Sequence, residues 1–161
     1  MKVRFSFVSN SSSSSFVTVV RGRLDIPALP NCDSQYWDLE ESCISIPQTF
    51  GGKREFGWEQ EISSDFGSKL NWAILQANAT SDESREELYA MIDNVLSRNF
   101  HLSKTPCFKS NLRYDYNNDE NLGYIDHQSI GSGMEIFDSE EELEYFLFCP
   151  QSHIETDNDN H

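Results

Sequence analysis

The sequence predicts an α+β domain, and three observations carry that expectation. Strand-like alternation opens the chain, two helical periodicities stand side by side in its middle, and a strand, a helix and a further strand follow near its end. Helices grouped beside hairpin-like strands favour α+β over a doubly wound parallel sheet. The expected architecture is one small domain of 161 residues, with an N-terminal β-hairpin and a mixed or antiparallel sheet packed against about three helices.

Residues 2–8 (KVRFSFV) alternate, with Val3, Phe5 and Phe7 on one face and Arg4 and Ser6 on the other. Residues 16–20 (FVTVV) supply the second strand of a hairpin occupying residues 1–24. Between them Asn10, Ser11, Ser12, Ser13, Ser14 and Ser15 fall in a polar connection, where Asn and Ser side chains satisfy their own backbone. Residues 25–56 hold Pro27, Pro30 and Pro47 and read as irregular, with one short strand at CISIP.

A helical pair follows over residues 57–100. In DFGSKLNWAILQAN, Phe66, Leu70, Ala73, Ile74 and Ala77 recur at helical spacing, which marks a buried face. Thr80-x-x-Glu83 has the form of a capping box and opens a second helix over about residues 81–97. Its apolar stripe is Leu88, Met91, Ile92, Val95 and Leu96; Glu86, Glu87, Asp93 and Arg98 are expected to face water.

Residues 103–121 are polar and turn-rich and read as a surface loop. A β-α-β unit then spans 122–156. LGYIDHQSI and GMEIF are strand-like, Ser139-x-x-Glu142 caps the helix EEELEYFLF, Pro150 stops it, and SHIET forms a last strand before a polar tail.

Eleven Phe, six Tyr and three Trp give the chain the apolar surface that disordered acidic chains lack. With 27 acidic against 12 basic residues, the net charge of −15 repels nucleic-acid backbones and anionic membranes. The same field suits a partner protein with a basic surface, including one that ordinarily holds nucleic acid; the alternative is a purely solubilising surface. Cys32, Cys43, Cys107 and Cys149 contain no C-x-x-C pair, which fits reduced thiols in a cytosolic protein. The apolar run after Lys2 and Arg4 is cut by Asn10 and the serines before it reaches signal-peptide length, and no segment approaches a membrane span.

Four polar clusters adjoin apolar residues: FGWE (56–59), SKLNW (68–72), YIDHQS (124–129) and ETDNDN (155–160). A divalent metal would need Glu59, Asp126, Asp157 and Asp159 to converge in some combination, with or without His127. Lys69 could then stabilise a phosphoryl transition state. None of these spacings is diagnostic, so no cofactor and no metal are expected, and a solvated tail is the simpler account of Asp157 and Asp159. Lys69 opposes the helix dipole, and an ion pair with Glu59 would hold it there. His127 and Ser129 share one face of a strand, with Asp126 and Gln128 on the other, but no nucleophile elbow accompanies them. A hydrogen-bonded structural histidine is the competing account of His127. Trp58 and Trp72 read as core, and Gly131-x-Gly133 is too short a motif to mark a phosphate loop.

FVSNSSSSSFV with its lead-in MKVRFS resembles the start of a loose group of uncharacterised bacteriophage and mobile-element proteins. FGWE, SKLNWAILQA, YIDHQS and FLFCPQSHIETDNDN are similar to that group too. The resemblance implies a phage or prophage origin, action in the cytoplasm of a bacterial host, and a purpose for the serine run beyond a spacer; it carries no catalytic assignment. The leading expectation is an acidic accessory protein that binds a host or phage protein with a basic surface, using Asn10, the five serines, Gln128 and Ser129 as candidate contacts. It would bind neither nucleic acid nor membrane directly. The alternatives are a metal-dependent enzyme acting on a nucleotide or phosphodiester through Glu59, Lys69, Asp126 and His127, and a virion component.

Overall fold

The computed structural model describes residues 2–6, 14–28, 37–38, 43–46, 50–57, 59–80, 82–100, 107–110, 123–125 and 136–157. These form nine strands and three helices in an α+β arrangement: β1 (Lys2–Ser6), β2 (Ser14–Val20), β3 (Trp37–Asp38), β4 (Cys43–Ile46), β5 (Glu55–Phe56), β6 (Glu61–Ser63), α1 (Phe66–Ala79), α2 (Asp82–Asn99), β7 (Cys107–Ser110), β8 (Tyr124–Ile125), α3 (Glu140–Phe148) and β9 (His153–Asp157). The main sheet is antiparallel, in the order β1-β2-β9-β6. The N-terminal hairpin is present, with Lys2 opposite Val20 and Ser6 opposite Phe16.

Two expectations change at the ends of this sheet. Ser14 and Ser15 belong to β2, paired with Asp157 and Thr156, and the Ser15 side chain is buried. Asp157 accordingly lies in β9 rather than in a solvated tail. Strand propensity gives no warning of this, because what holds two serines in a strand is the ladder to a partner near the other end of the chain. Asn10, Ser11, Ser12, Ser13 and Asp159 lie outside the described residues.

Four further strands were not expected, one of them β6 at the start of the segment read as a helical pair. Residues 25–56 contain β3 and β5 besides the anticipated CISI strand β4, and the 103–121 segment contains β7, which pairs in parallel with β4. A strand of two to four residues is too short to show a period, so only its long-range partner reveals it. Ile136 and Phe137 of GMEIF are buried but are not in a strand; residues 133–135 lie outside the description.

Helix α1 is the centre of the domain. All residues from 67 to 77 are buried, polar ones included, as α1 packs against α2, α3 and β8. Asp65 caps its start by accepting from the Ser68 N–H at 2.9 Å. Thr80 ends it: its hydroxyl donates to Ala77 O at 2.9 Å and its N–H to the same carbonyl, so Thr80 serves the helix before it rather than opening α2 as expected. The α3 cap is as expected, with Glu142 N–H on Ser139 Oγ at 3.2 Å and the Glu142 carboxylate reaching back to Asp138 N–H at 2.9 Å.

The core joins Leu70, Trp72, Ile74 and Leu75 of α1 to Leu88, Ile92, Val95 and Leu96 of α2, to Leu143, Phe146 and Leu147 of α3, and to Val17, Val19 and Ile154 of the sheet. Trp72 meets Phe137 and Phe146 edge-on at 6.3 and 5.7 Å, in keeping with its expected core role. Because Leu88 and Ile92 are buried on the α2 stripe, Leu88→Ala or Ile92→Ala should each cost about 2–5 kcal/mol in chemical denaturation. A loss below about 0.5 kcal/mol would show that the stripe does not seal the core.

Candidate functional site

The four polar clusters meet along one stretch of chain, residues 50–61. Its first part is a strap laid across the start of α1. Gly67 allows the approach: a Cβ there would lie 2.6 Å from Phe50 O and 2.7 Å from Gly51 O. Gly51 and Gly52 both have positive φ, 64° and 86°, and a Cβ on Gly52 would collide with Ser68 N and the Gly67 carbonyl carbon. Side chains from SKLNW then fasten the strap. Lys53 N–H donates to Ser68 Oγ at 2.7 Å, and the Asn71 amide donates to Gly51 O at 2.9 Å and Lys53 O at 3.0 Å.

Beyond the strap, β5 pairs in parallel with β8, Phe56 opposite Ile125, and Tyr124 N–H donates to Arg54 O at 2.7 Å. The pairing brings FGWE and the start of YIDHQS to the same end of two parallel strands. Thr156 of the last cluster donates its hydroxyl to Glu59 O, and β6 continues into the main sheet beside β9. Lys53, Glu55, Phe56, Gly57, Glu59 and Tyr124 line a cavity of about 160 Å³ there, and Lys53 is ion-paired with Glu61. Glu59 is exposed. Asp126, His127, Gln128, Ser129 and Trp58 lie outside the described residues. Among the described residues no group of three His, Cys, Asp or Glu side chains is placed to hold a metal ion.

Lys69 does not join this cluster. Its side chain is 1 % exposed and its amine donates to Cys149 O at 3.0 Å, on the α3 side of α1, so the expected ion pair with Glu59 is replaced by a bond to a neutral carbonyl. Ser68 and Asn71 lie on one side of the helix and Lys69 about 100° round from Ser68, which is why one short motif serves two surfaces. Burial pulls the Lys69 pKa from 10.5 down to about 8, partly opposed by Cys149 and Asp65.

A third feature, which cluster-by-cluster reading missed, is an acidic ledge. Together α2 and α3 carry nine acidic residues against two arginines. Glu83, Glu86 and Glu87 are exposed on the first half of α2, and the same helix reaches α3 through Asn94 to Glu140 at 2.8 Å and Arg98 to Glu140 and Glu144 at 3.0 and 3.3 Å. Glu141 is exposed next to Glu140. The Asn94 amide, with Arg98 beside it, holds the Glu140 carboxyl below the usual carboxylate range, so this part of the ledge stays ionised. Asp93, expected to face water, is half-buried, and burial raises its pKa from 3.8 to about 6. The signal for the ledge was available as the charge count of the two helices; that they lie against each other was not.

No protein-family model, curated protein or solved structure matches the chain. No helix among the described residues is long and apolar enough to cross a membrane.

Two outcomes test this geometry. Gly52→Ala should destabilise by more than about 2 kcal/mol, whereas Gly51→Ala, with open space around the new Cβ, should cost only about 1 kcal/mol for its positive φ. Equal losses in urea denaturation would show that the strap does not press on α1.

Between about pH 8 and 10.5 the unfolded chain keeps a proton on Lys69 that the folded chain has released, so stability should rise with pH across that window. Asp93 works in the opposite sense at acid pH: the folded chain holds a proton the unfolded chain lacks between 3.8 and about 6, so stability falls as pH rises there. Lys69→Met should abolish the alkaline rise without loss of stability at pH 7, because Cys149 O still accepts from Ser152 N–H at 3.0 Å. An alkaline rise that survives in Lys69→Met would assign it to another group.

Proposed function

We propose that the protein is an acidic bacteriophage accessory protein that acts in the cytoplasm of a bacterial host by binding the basic surface of a host or phage protein. The observation that carries this reading is the exposed first half of α2, where Glu83, Glu86 and Glu87 stand away from the Arg98 contacts that join α2 to the carboxylates of α3. Carboxylates one helical turn apart, about 5–6 Å, form a line of like charge that a groove built for phosphates accepts. The partner's basic groove would then be occupied, which makes inhibition of nucleic-acid binding the expected effect. The phage-like opening stretch supports the setting, and the excess of 27 acidic over 12 basic residues supplies the long-range attraction.

The second reading, a metal-dependent enzyme acting on a nucleotide or phosphodiester, has one supporting observation. The parallel pairing of β5 with β8 brings the chain around Glu59 and the chain leading to Asp126 to the same strand ends. Lys69 no longer supports that reading, since it is not among the residues that line the cavity beside Glu59 and its amine reaches the end of α3 instead.

Tagged protein should capture a basic protein from bacterial lysate at about 50 mM salt and lose it by about 300 mM, where the Debye length falls from roughly 14 to 6 Å. Added duplex DNA should compete for the captured protein. Glu83→Gln/Glu86→Gln/Glu87→Gln should abolish capture at an unchanged melting temperature. Capture that resists both salt and the triple substitution would overturn the ledge as the binding surface.

A further inference from the structure

A second cavity, of about 250 Å³, lies between the start of α1, the end of α3 and the chain after β2. Its floor is made by Lys69, Leu147 and Phe148, all buried, with the half-buried Phe66; Asp25, Ser64, Asp65 and Pro150 are exposed at its rim. Three elements hold it in shape. The chain after β2 is tied to the end of α3 by Asp25 N–H on Phe148 O at 2.8 Å, Phe66 stacks on Phe148 at 5.2 Å between ring centres, and Lys69 ties α1 to Cys149 O.

We propose that this cavity takes a small neutral aldehyde or ketone and captures it as an imine on the Lys69 amine. A buried ammonium ordinarily needs a carboxylate partner. Lys69 has only a neutral carbonyl, which Ser152 N–H already satisfies, and the nearby Asp65 carboxylate is engaged by the Ser68 N–H as the α1 cap. The charged groups around Lys69 are Asp65 before α1, which acts on its amine, and Asp25 after β2, which lines the same cavity, with the Cys149 thiol after α3 donating to Gln151 Oε1 at 3.0 Å. The lowered basicity of Lys69 agrees with this setting and leaves a usable fraction of neutral amine near pH 8.

The same surroundings select the ligand class. An anion would meet two rim carboxylates and a chain of net charge −15, and a cation would meet Lys69. A neutral compound meets neither penalty, and the phenyl and leucine floor favours an apolar body. An apolar cavity of roughly 150 Å³ admits benzene, so this one has room for a ring bearing a carbonyl.

In the reaction, the Lys69 nitrogen lone pair forms a bond to the carbonyl carbon while the C=O π pair moves to oxygen. Proton transfer from nitrogen to that oxygen gives a neutral carbinolamine. Loss of its hydroxyl together with the remaining N–H proton releases one water and leaves the C=N bond, with no net redox change. The exposed rim lets water carry these protons.

The test uses the full chain, benzaldehyde and sodium cyanoborohydride, which delivers hydride to the imine carbon and fixes the adduct as a secondary amine. Peptide mapping by mass spectrometry should find Lys69 modified faster than Lys53 by about tenfold or more at pH 8, with a rate that falls steeply towards pH 6. Lys53, half-buried and ion-paired with Glu61, is the comparison within the same molecule. Benzaldehyde without reductant should raise the melting temperature of the native sequence and not of Lys69→Met. Modification of Lys69 no faster than of Lys53, or only in denaturing urea, would overturn the proposal and leave Lys69 as a purely structural amine.

Discussion

The close contact between the Gly51–Gly52 backbone and Gly67 is the constraint around which the rest of the domain is arranged. No side chain fits between the strap and α1, so the two backbones meet directly and the polar atoms trapped there must pair with each other. Ser68 and Asn71 do most of that pairing, which explains why a helix can be buried around its whole circumference while carrying Ser, Lys, Asn and Gln. Four rings close the contact from outside. Phe50 of the strap meets Phe66 of α1 at 5.0 Å and Phe100 after α2 at 5.7 Å, and Phe66 and Phe100 both meet Phe148 of α3. The strap and the three helices thus contribute one ring each, and one end of every helix is fixed relative to the strap.

From this contact follows the placement of everything downstream of residue 53. The strap aims β5 at β8, β6 then joins the main sheet beside β9, and the polar clusters that are far apart in sequence arrive along one line. The same burial has a cost. Asn71 Oδ1, Trp72 Nε1 and Ser15 Oγ are buried without a hydrogen-bond partner among the described residues, each a loss of about 1–3 kcal/mol against water. Trp72 recovers part of this through its edge-on contacts with Phe137 and Phe146, so the position selects indole for its area rather than for its N–H.

What was legible in the sequence is what repeats within a few residues. The stripes of α1 and α2, the Ser139–Glu142 cap, the alternation of β1 and the class of fold all rest on local periods or local hydrogen bonds. What was not legible depends on partners distant in the chain. Ser14 and Ser15 become strand only because β9 lies beside them, β7 only because β4 does, and Thr80 looked like a helix start because T-x-x-E fits either end of a turn between helices. The site divided in the same way. Its four clusters were visible as residue types, but their convergence on residues 50–61 rests on the Gly52–Gly67 approach, and glycine leaves no side-chain pattern to read. Lys69 was visible as a cation at a helix start, whereas its burial comes from α3 and the chain after β2 closing over it.

The distribution of charge separates the two ends of this structure. The interior holds one lysine against a neutral carbonyl, whereas α2 and α3 present Glu83, Glu86, Glu87 and Glu141 to the outside. Like charges on two packed helices repel, and a compact state of net charge −15 carries that cost throughout. Where the helices come closest, Arg98 lies between Glu140 and Glu144, with Asn94 and Asn99 donating to the same two carboxylates. Its guanidinium is held more firmly protonated by Glu140, the converse of the lowered Glu140 carboxyl. The repulsion is therefore neutralised at the seam and left standing at Glu83, Glu86 and Glu87, away from it. Uniform neutralisation would serve stability better. An uncompensated patch on the first half of α2 is what the proposed docking to a basic partner would draw on, since only charge that is not satisfied internally can be satisfied by a partner.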